Sequence, residues 1–225
     1  CLGLIYALEC QGVKAGFVKP FSQEITDTAD RTTALYRHIS NAKTVEPISY
    51  NAMMQRLSHG EQDELLEDAV RLHREIARNH DLIIVEGVVP NGRDSFVDEL
   101  NASLAQALDA KVVIVSNADI RHPVQTAEKV ENQIRNFGGA SSTRLSSILF
   151  MRTKGLPEES AQIPVTIDPE LRLTAETEQF VQAIQKTHPY IGSDKLPVIG
   201  LVPFSKTLSV PRMSDLAAHI SVLWI

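Results

Sequence analysis

The run Asp81-Leu82-Ile83-Ile84-Val85-Glu86-Gly87 constrains the fold more than any other stretch of the chain. Its consecutive large aliphatic residues read as a strand buried on both faces, as in a parallel sheet covered by helices. The run stops at a carboxylate followed by glycine. In open parallel sheets, ligands bind beyond the carboxyl ends of the strands. An acid at that tip is placed to hold Mg²⁺ or to orient a water beside a phosphate.

The surrounding pattern alternates. Leu2, Leu4, Ile5 and Leu8 form a helical stripe, and Gly12 is a left-handed stop. Residues 13–18 predict a short strand ended by Lys19-Pro20, 22–29 a polar loop, and 30–40 a helix. Residues 41–60 give no clear pattern. The clearest helix spans 61–79, with acids in its first turns and Arg71, Arg74 and Arg78 near its end, as the helix dipole prefers. A helix from about Ser95 follows, then a strand over 111–116. Pro123 opens the next helix, Gly138-Gly139 closes it, and 145–150 is again a strand. A polar connection through Pro157, Pro164 and Pro169 leads to a helix capped by Thr174 and running to Thr187. Residues 196–202 form a further strand, 212–219 a last helix, and the chain closes on a strand stub. About six strands alternating with helices imply right-handed crossovers and one parallel sheet in a single α/β domain.

Composition narrows the function. With 28 acids against 22 bases the net charge is −6, and no basic block or Arg/aromatic interleaving marks a nucleic-acid groove. No apolar run approaches the roughly 20 residues that span a bilayer, and no signal peptide is expected. Two cysteines, Cys1 and Cys10, resemble neither a disulfide framework nor a metal knuckle, so a reducing, cytoplasmic setting is the expectation. Both ends look cut, in mid-helix at Cys1 and mid-strand at Ile225, which predicts a fragment of a longer polypeptide.

Candidate chemistry gathers at strand ends. Lys19 could reach a phosphate or carboxylate at the sheet crest, or be a solvated strand-end lysine. Asp27 and Asp30 stand where acids cap helices or, from crest loops, ligate Mg²⁺. Glu86 is the stronger metal candidate, its alternative being a strand-end acid touching water or a backbone amide. The seven histidines are scattered without metal-ligand spacing and read as surface or boundary residues. Cys10 reads as a small helix-packing residue. No Gly-x-Ser-x-Gly elbow and no Gly-x-x-x-x-Gly-Lys-Ser/Thr loop occurs. A phosphate loop would have to end just before Cys1.

Several segments together carry a resemblance. They are Gly3-Leu4, Ala7-Leu8-Glu9 and Gly12-Val13, then Phe17-Val18-Lys19-Pro20, Asp30-Arg31-Thr32-Thr33, Val85-Glu86-Gly87-Val88-Val89-Pro90 and Phe137-Gly138-Gly139. Leu196-Pro197-Val198-Ile199-Gly200 with Val202-Pro203 completes the set. In this order they resemble the N-terminal domain of the long, multidomain bacterial phosphate acetyltransferases, which is similar to dethiobiotin synthetase and the cobyrinic acid a,c-diamide synthases. The resemblance implies a three-layer, P-loop NTPase-like fold, a mostly parallel central sheet flanked by helices, with the phosphate loop missing from this chain. It implies a vestigial nucleotide or phosphate site at Lys19, Asp30 and Glu86, with Asp30 and Glu86 as Mg²⁺ ligands.

Two further departures from the synthetases stand out. Met151 replaces a base-reading asparagine, and Val88-Val89 replace a glycine, narrowing the crest. Together with the missing loop they imply a domain that kept the fold and lost ligase chemistry. The implied role is regulatory or structural, in a polypeptide whose C-terminal domain catalyses acetyl-CoA + phosphate ⇌ acetyl phosphate + CoA. Implied partners are small-molecule effectors (ATP, NADH, pyruvate), other domains of the same polypeptide and further copies of the full-length protein, but no nucleic acid or membrane. The rivals are an ATP-dependent ligase like dethiobiotin synthetase and a non-catalytic oligomerisation module.

Overall fold

The computed structural model describes residues 1–23, 29–39, 44–90, 96–156 and 175–205. In chain order the elements are α1 (Leu2–Cys10), β1 (Ala15–Val18), α2 (Arg31–Ile39), α3 (Tyr50–Ser58), α4 (Gln62–Ala77) and β2 (Leu82–Val85). They continue with α5 (Phe96–Ala107), β3 (Val112–Asp119), α6 (Pro123–Asn136), β4 (Leu145–Lys154), α7 (Ala175–Gln185) and β5 (Val198–Pro203). They fall into two compact units, residues 1–112 and 113–225. The architecture is α/β, with parallel strands flanked by helices.

In the first unit β1 and β2 pair in parallel, Ala15 opposite Leu82 and Val18 opposite Val85. Strand β1 is buried throughout because helices cover both its faces. Ala15 and Phe17 pack with Ile5 of α1 and Tyr36 of α2, while Val18 packs with Leu72 and Ile76 of α4. The alternation follows from the two-residue period of a strand. Gly16 lets α4 come close: a Cβ there would lie 2.8 Å from Ile83 Cδ1 and 3.0 Å from Ile76 Cγ2.

Strand β2 differs from the expectation of burial on both faces. Its residues are half-buried, and Leu82 is 43% exposed. The more enclosed strand is β1, whose residues are smaller, because α1 packs on β1 and α4 spans both strands. The larger core of this unit lies under α3, α4 and α5, around Met53, Leu65, Ala69, Leu100 and Leu104.

Helix ends follow the sequence signals. Gly12 (φ +79) closes α1, with the Gly12 amide on Glu9 O at 2.9 Å and the Val13 amide on Leu8 O at 3.0 Å. These paired bonds are the Schellman arrangement, which takes up orphan carbonyls at a helix end. Gly138 and Gly139 do the same for α6. The unassigned stretch 41–60 contains α3, which Ser49 caps by accepting the Ala52 amide.

In the second unit the strand order is β3-β4-β5, with β4 and β5 parallel. The core holds Ile148 and Phe150 of β4 with Phe180 and Ile184 of α7, and the Phe150 and Phe180 rings meet edge-on at 5.6 Å. Strands β3 and β4 run longer than expected, to Asp119 and Lys154. Asp27, the Thr174 cap, the proline-bearing connection and the helix over 212–219 lie outside the described residues. Among the described residues, no helix is long and apolar enough to cross a membrane.

Candidate functional site

Parallel pairing decides where the chemistry gathers. Val18 and Val85 are register partners, so the residues that follow them, Lys19 and Glu86, leave the sheet side by side. The Glu86 amide donates to Val18 O at 2.9 Å, extending the ladder by one step. Asp30 arrives from the start of α2. Lys19 Nζ lies 2.9 Å from Asp30 Oδ2 and 3.3 Å from Glu86 Oε1, so one ammonium bridges two carboxylates. The structure thus brings all three predicted site residues together. Formally the cluster carries one positive and two negative charges.

Asp30 is also the N-cap of α2. Its Oδ1 accepts the Thr33 amide at 3.0 Å and its main-chain oxygen accepts the Ala34 amide. Its Oδ2 further accepts the Ser22 hydroxyl at 3.1 Å. Capping is one of the two roles the sequence posed for Asp30, the other being Mg²⁺ ligation, and the same side chain also pairs with Lys19. Burial pushes the Asp30 carboxyl up, but the Lys19 ammonium and the Thr33 amide outweigh it and hold it below its ordinary value.

The fit to Mg²⁺ differs between the two acids. Both Asp30 oxygens are engaged by donors, and an ion there would have to displace the Lys19 ammonium. The Glu86 side chain is 19% exposed and is the one of the pair open to a hydrated ion.

Two amide side chains, neither recognised from sequence, hold the turn after Glu86. Asn101 of α5 accepts the Val88 amide at 2.9 Å and donates to Val88 O at 2.7 Å. Gln23 makes the same paired bonds to Val89, both at 2.9 Å. Each primary amide imitates a neighbouring strand. Gly87 makes room for this: a Cβ would sit 2.7 Å from Asn101 Oδ1. The narrowing expected from Val88-Val89 is uneven, since Val88 is buried and Val89 is 61% exposed.

The other singled-out residues lie apart from this cluster. Met151 is half-buried in β4. Cys10 is exposed at the end of α1 rather than packed against a neighbouring element, because that helix buries Ile5 and turns its last residue outward. All histidines among the described residues are exposed or half-buried.

An acid and a lysine thus stand at the crest of parallel strands with a capped helix behind them. Residues 1–212 match the family described as AAA domain. The chain belongs to that family. It is a P-loop-like family, in keeping with the parallel strands and flanking helices of this AAA domain. The chain is also similar to curated proteins named phosphate acetyltransferase. It is 59% identical over 225 residues to that of Acinetobacter baylyi, covering 100% of this chain and 31% of the relative. Identity is 29% over 223 residues to that of Haemophilus influenzae, covering 97% of this chain and 31% of the relative. With that of Salmonella typhimurium it is 28% over 223 residues, covering 98% and 31%. The chain therefore spans about 31% of the length of these relatives, as an N-terminal part.

Proposed function

We propose that this AAA domain is the regulatory and structural N-terminal part of a phosphate acetyltransferase. Acetyl transfer between acetyl-CoA and phosphate would then belong to another part of that polypeptide, acting in the cytoplasm. The observation that carries this reading is similarity to phosphate acetyltransferases along the whole chain, at 59% identity to one of them. The closed state of the Lys19 cluster supports it. A lysine that grips a nucleotide phosphate needs its ammonium available, whereas here it neutralises Asp30 and Glu86. On this view the crest is a vestigial phosphate site, and ATP, NADH or pyruvate are the effectors to test against it. The family match runs through both compact units, which supports treating them as one domain.

Two measurements test the reading. The isolated chain, given acetyl-CoA and phosphate, is expected to form no acetyl phosphate above the buffer rate, and steady turnover would refute the assignment. In a full-length phosphate acetyltransferase carrying this chain, its removal is expected to leave acetyl transfer but blunt the response to added effector. An unchanged response would reduce the role to a structural one.

A further inference from the structure

The second unit contains a cleft of about 420 Å³ at the carboxyl ends of β3, β4 and β5. The Ile120 amide donates to Lys154 O at 3.1 Å, so β3 and β4 end side by side. Helix α6 forms one wall. His122, Gln125, Thr126 and Lys129 all line the cleft and fall at helical spacing on one face. Arg152 and Lys154 face it from β4, and Phe204 from just beyond β5.

The balance of charge is one-sided. Lys129, Arg152 and Lys154 line the cleft, and among the described residues none of them forms an ion pair. Among the described residues the one lining carboxylate, Asp119, is already taken: Arg121 donates to it from Nε at 2.9 Å and from Nη2 at 2.7 Å. Helix α6 starts with Pro123, and His122 provides no side-chain cap for its first turn. The amides of that turn therefore point outward with the positive end of the helix dipole.

Among the residues of the cleft, backbone geometry sets Arg152 apart. It has φ +51, in the left-handed region, within the irregular stretch of β4 between Phe150 and Thr153. A bulge of this kind re-aims a side chain, and the guanidinium of Arg152 sits 5.7 Å over the Phe204 ring. Left-handed backbone at a non-glycine residue tends to mark functional sites.

We propose that this cleft binds a small phosphate-bearing anion, held by Lys129, Arg152, Lys154 and the main-chain amides at the start of α6. Phosphate rather than carboxylate suits the set. Its oxygens can meet a planar guanidinium, two point charges and helix-start amides at once. The site uses none of the residues of the Lys19 cluster and stands independently of any role assigned to that cluster.

Calorimetric titration of the chain with pyrophosphate at low salt tests the proposal, with citrate as a carboxylate control. One pyrophosphate is expected to bind. Lys129→Ala or Lys154→Ala should each weaken it by on the order of tenfold, the loss of one charge-assisted contact. Added salt should weaken it further. Lys186→Ala, an exposed lysine away from the cleft, should leave it unchanged. All three lysine variants are to be checked for native circular dichroism, and wild-type amide NMR shifts should fall on residues 117–129 and 152–154. Absence of pyrophosphate binding, equal weakening by Lys186→Ala, or citrate binding as tightly as pyrophosphate would each overturn the assignment.

Discussion

Lys19 and Asp30 form an ion pair at 2.9 Å between side chains that are 8% and 1% exposed. The pair ties the end of β1 to the first turn of α2, and Glu86 joins it from the end of β2. Taking two charges out of water costs free energy that their attraction repays only when the remaining hydrogen bonds are made. Here they are, through Ser22 and Thr33.

Removing one partner should therefore be expensive. Lys19→Met leaves Asp30 and Glu86 facing each other without a cation, and a loss of about 3–5 kcal/mol is expected. Asp30→Asn keeps a good helix cap and should be milder than Asp30→Ala by about 1 kcal/mol, the worth of an N-cap. Urea denaturation of the variants measures both. Equal losses for Asn and Ala at position 30 would show that the cap contributes nothing.

The same carboxyl sets a pH dependence. Its folded value lies below the ordinary Asp value of 3.8. A depressed acid stabilises the fold fully above its unfolded value, and that stability drains as pH falls through the folded value. The difference in urea midpoint between wild type and Asp30→Asn should be flat from neutral pH down to about 5 and shrink below 3.8. A difference that shrinks instead between pH 8 and 6 would contradict this assignment.

Asn101 holds the turn after Glu86 through both main-chain groups of Val88. Asn101→Ala leaves an amide and a carbonyl without partners, and a cost of about 2–3 kcal/mol is expected. Asn101→Asp can still accept the Val88 amide and should lie between the two. Hydrogen exchange at the Val88 amide reports the effect locally, and unchanged protection in Asn101→Ala would mean the clamp is not formed in solution.

In the second unit, Phe150 is wholly buried and meets Phe180 edge-on at 5.6 Å and 73°. Phe150→Ala should cost about 3–5 kcal/mol through lost transfer energy and the cavity left behind. Phe150→Leu, closer in volume, should cost less than half as much. Thermal unfolding compares the two, and similar midpoints would indicate that the site collapses around the smaller side chain.

Much of the architecture is local in origin and so was legible along the chain. Gly12 and Gly138-Gly139 end helices because their left-handed backbone suits residues without a Cβ. Helix α4 shows its apolar stripe and its charged ends within its own 16 residues. Helix α3 escaped notice because it is short and begins on Tyr50-Asn51-Ala52, a weak opening whose stronger marks are the Ser49 cap and Gly60. The burial of β2 was overestimated for a different reason. An apolar run records what a strand could bury, and the helices packed on it fix how much it does bury.

By itself the sequence determined most of the helices and strands, though not α3, and that an acid and a lysine close two strands of an α/β domain. Periodicity, capping and strand-end residues act within a few positions and need no knowledge of the fold. Only the tertiary structure decided that Lys19, Asp30 and Glu86 meet around one ammonium, that Asn101 and Gln23 clamp the turn beside them, and that Arg152 turns toward Phe204. Those relationships arise from parallel register and packing between segments as much as 67 positions apart, such as Lys19 and Glu86. The physical reason is that charge pairing and amide clamping depend on distances in space, which spacing along the chain leaves open.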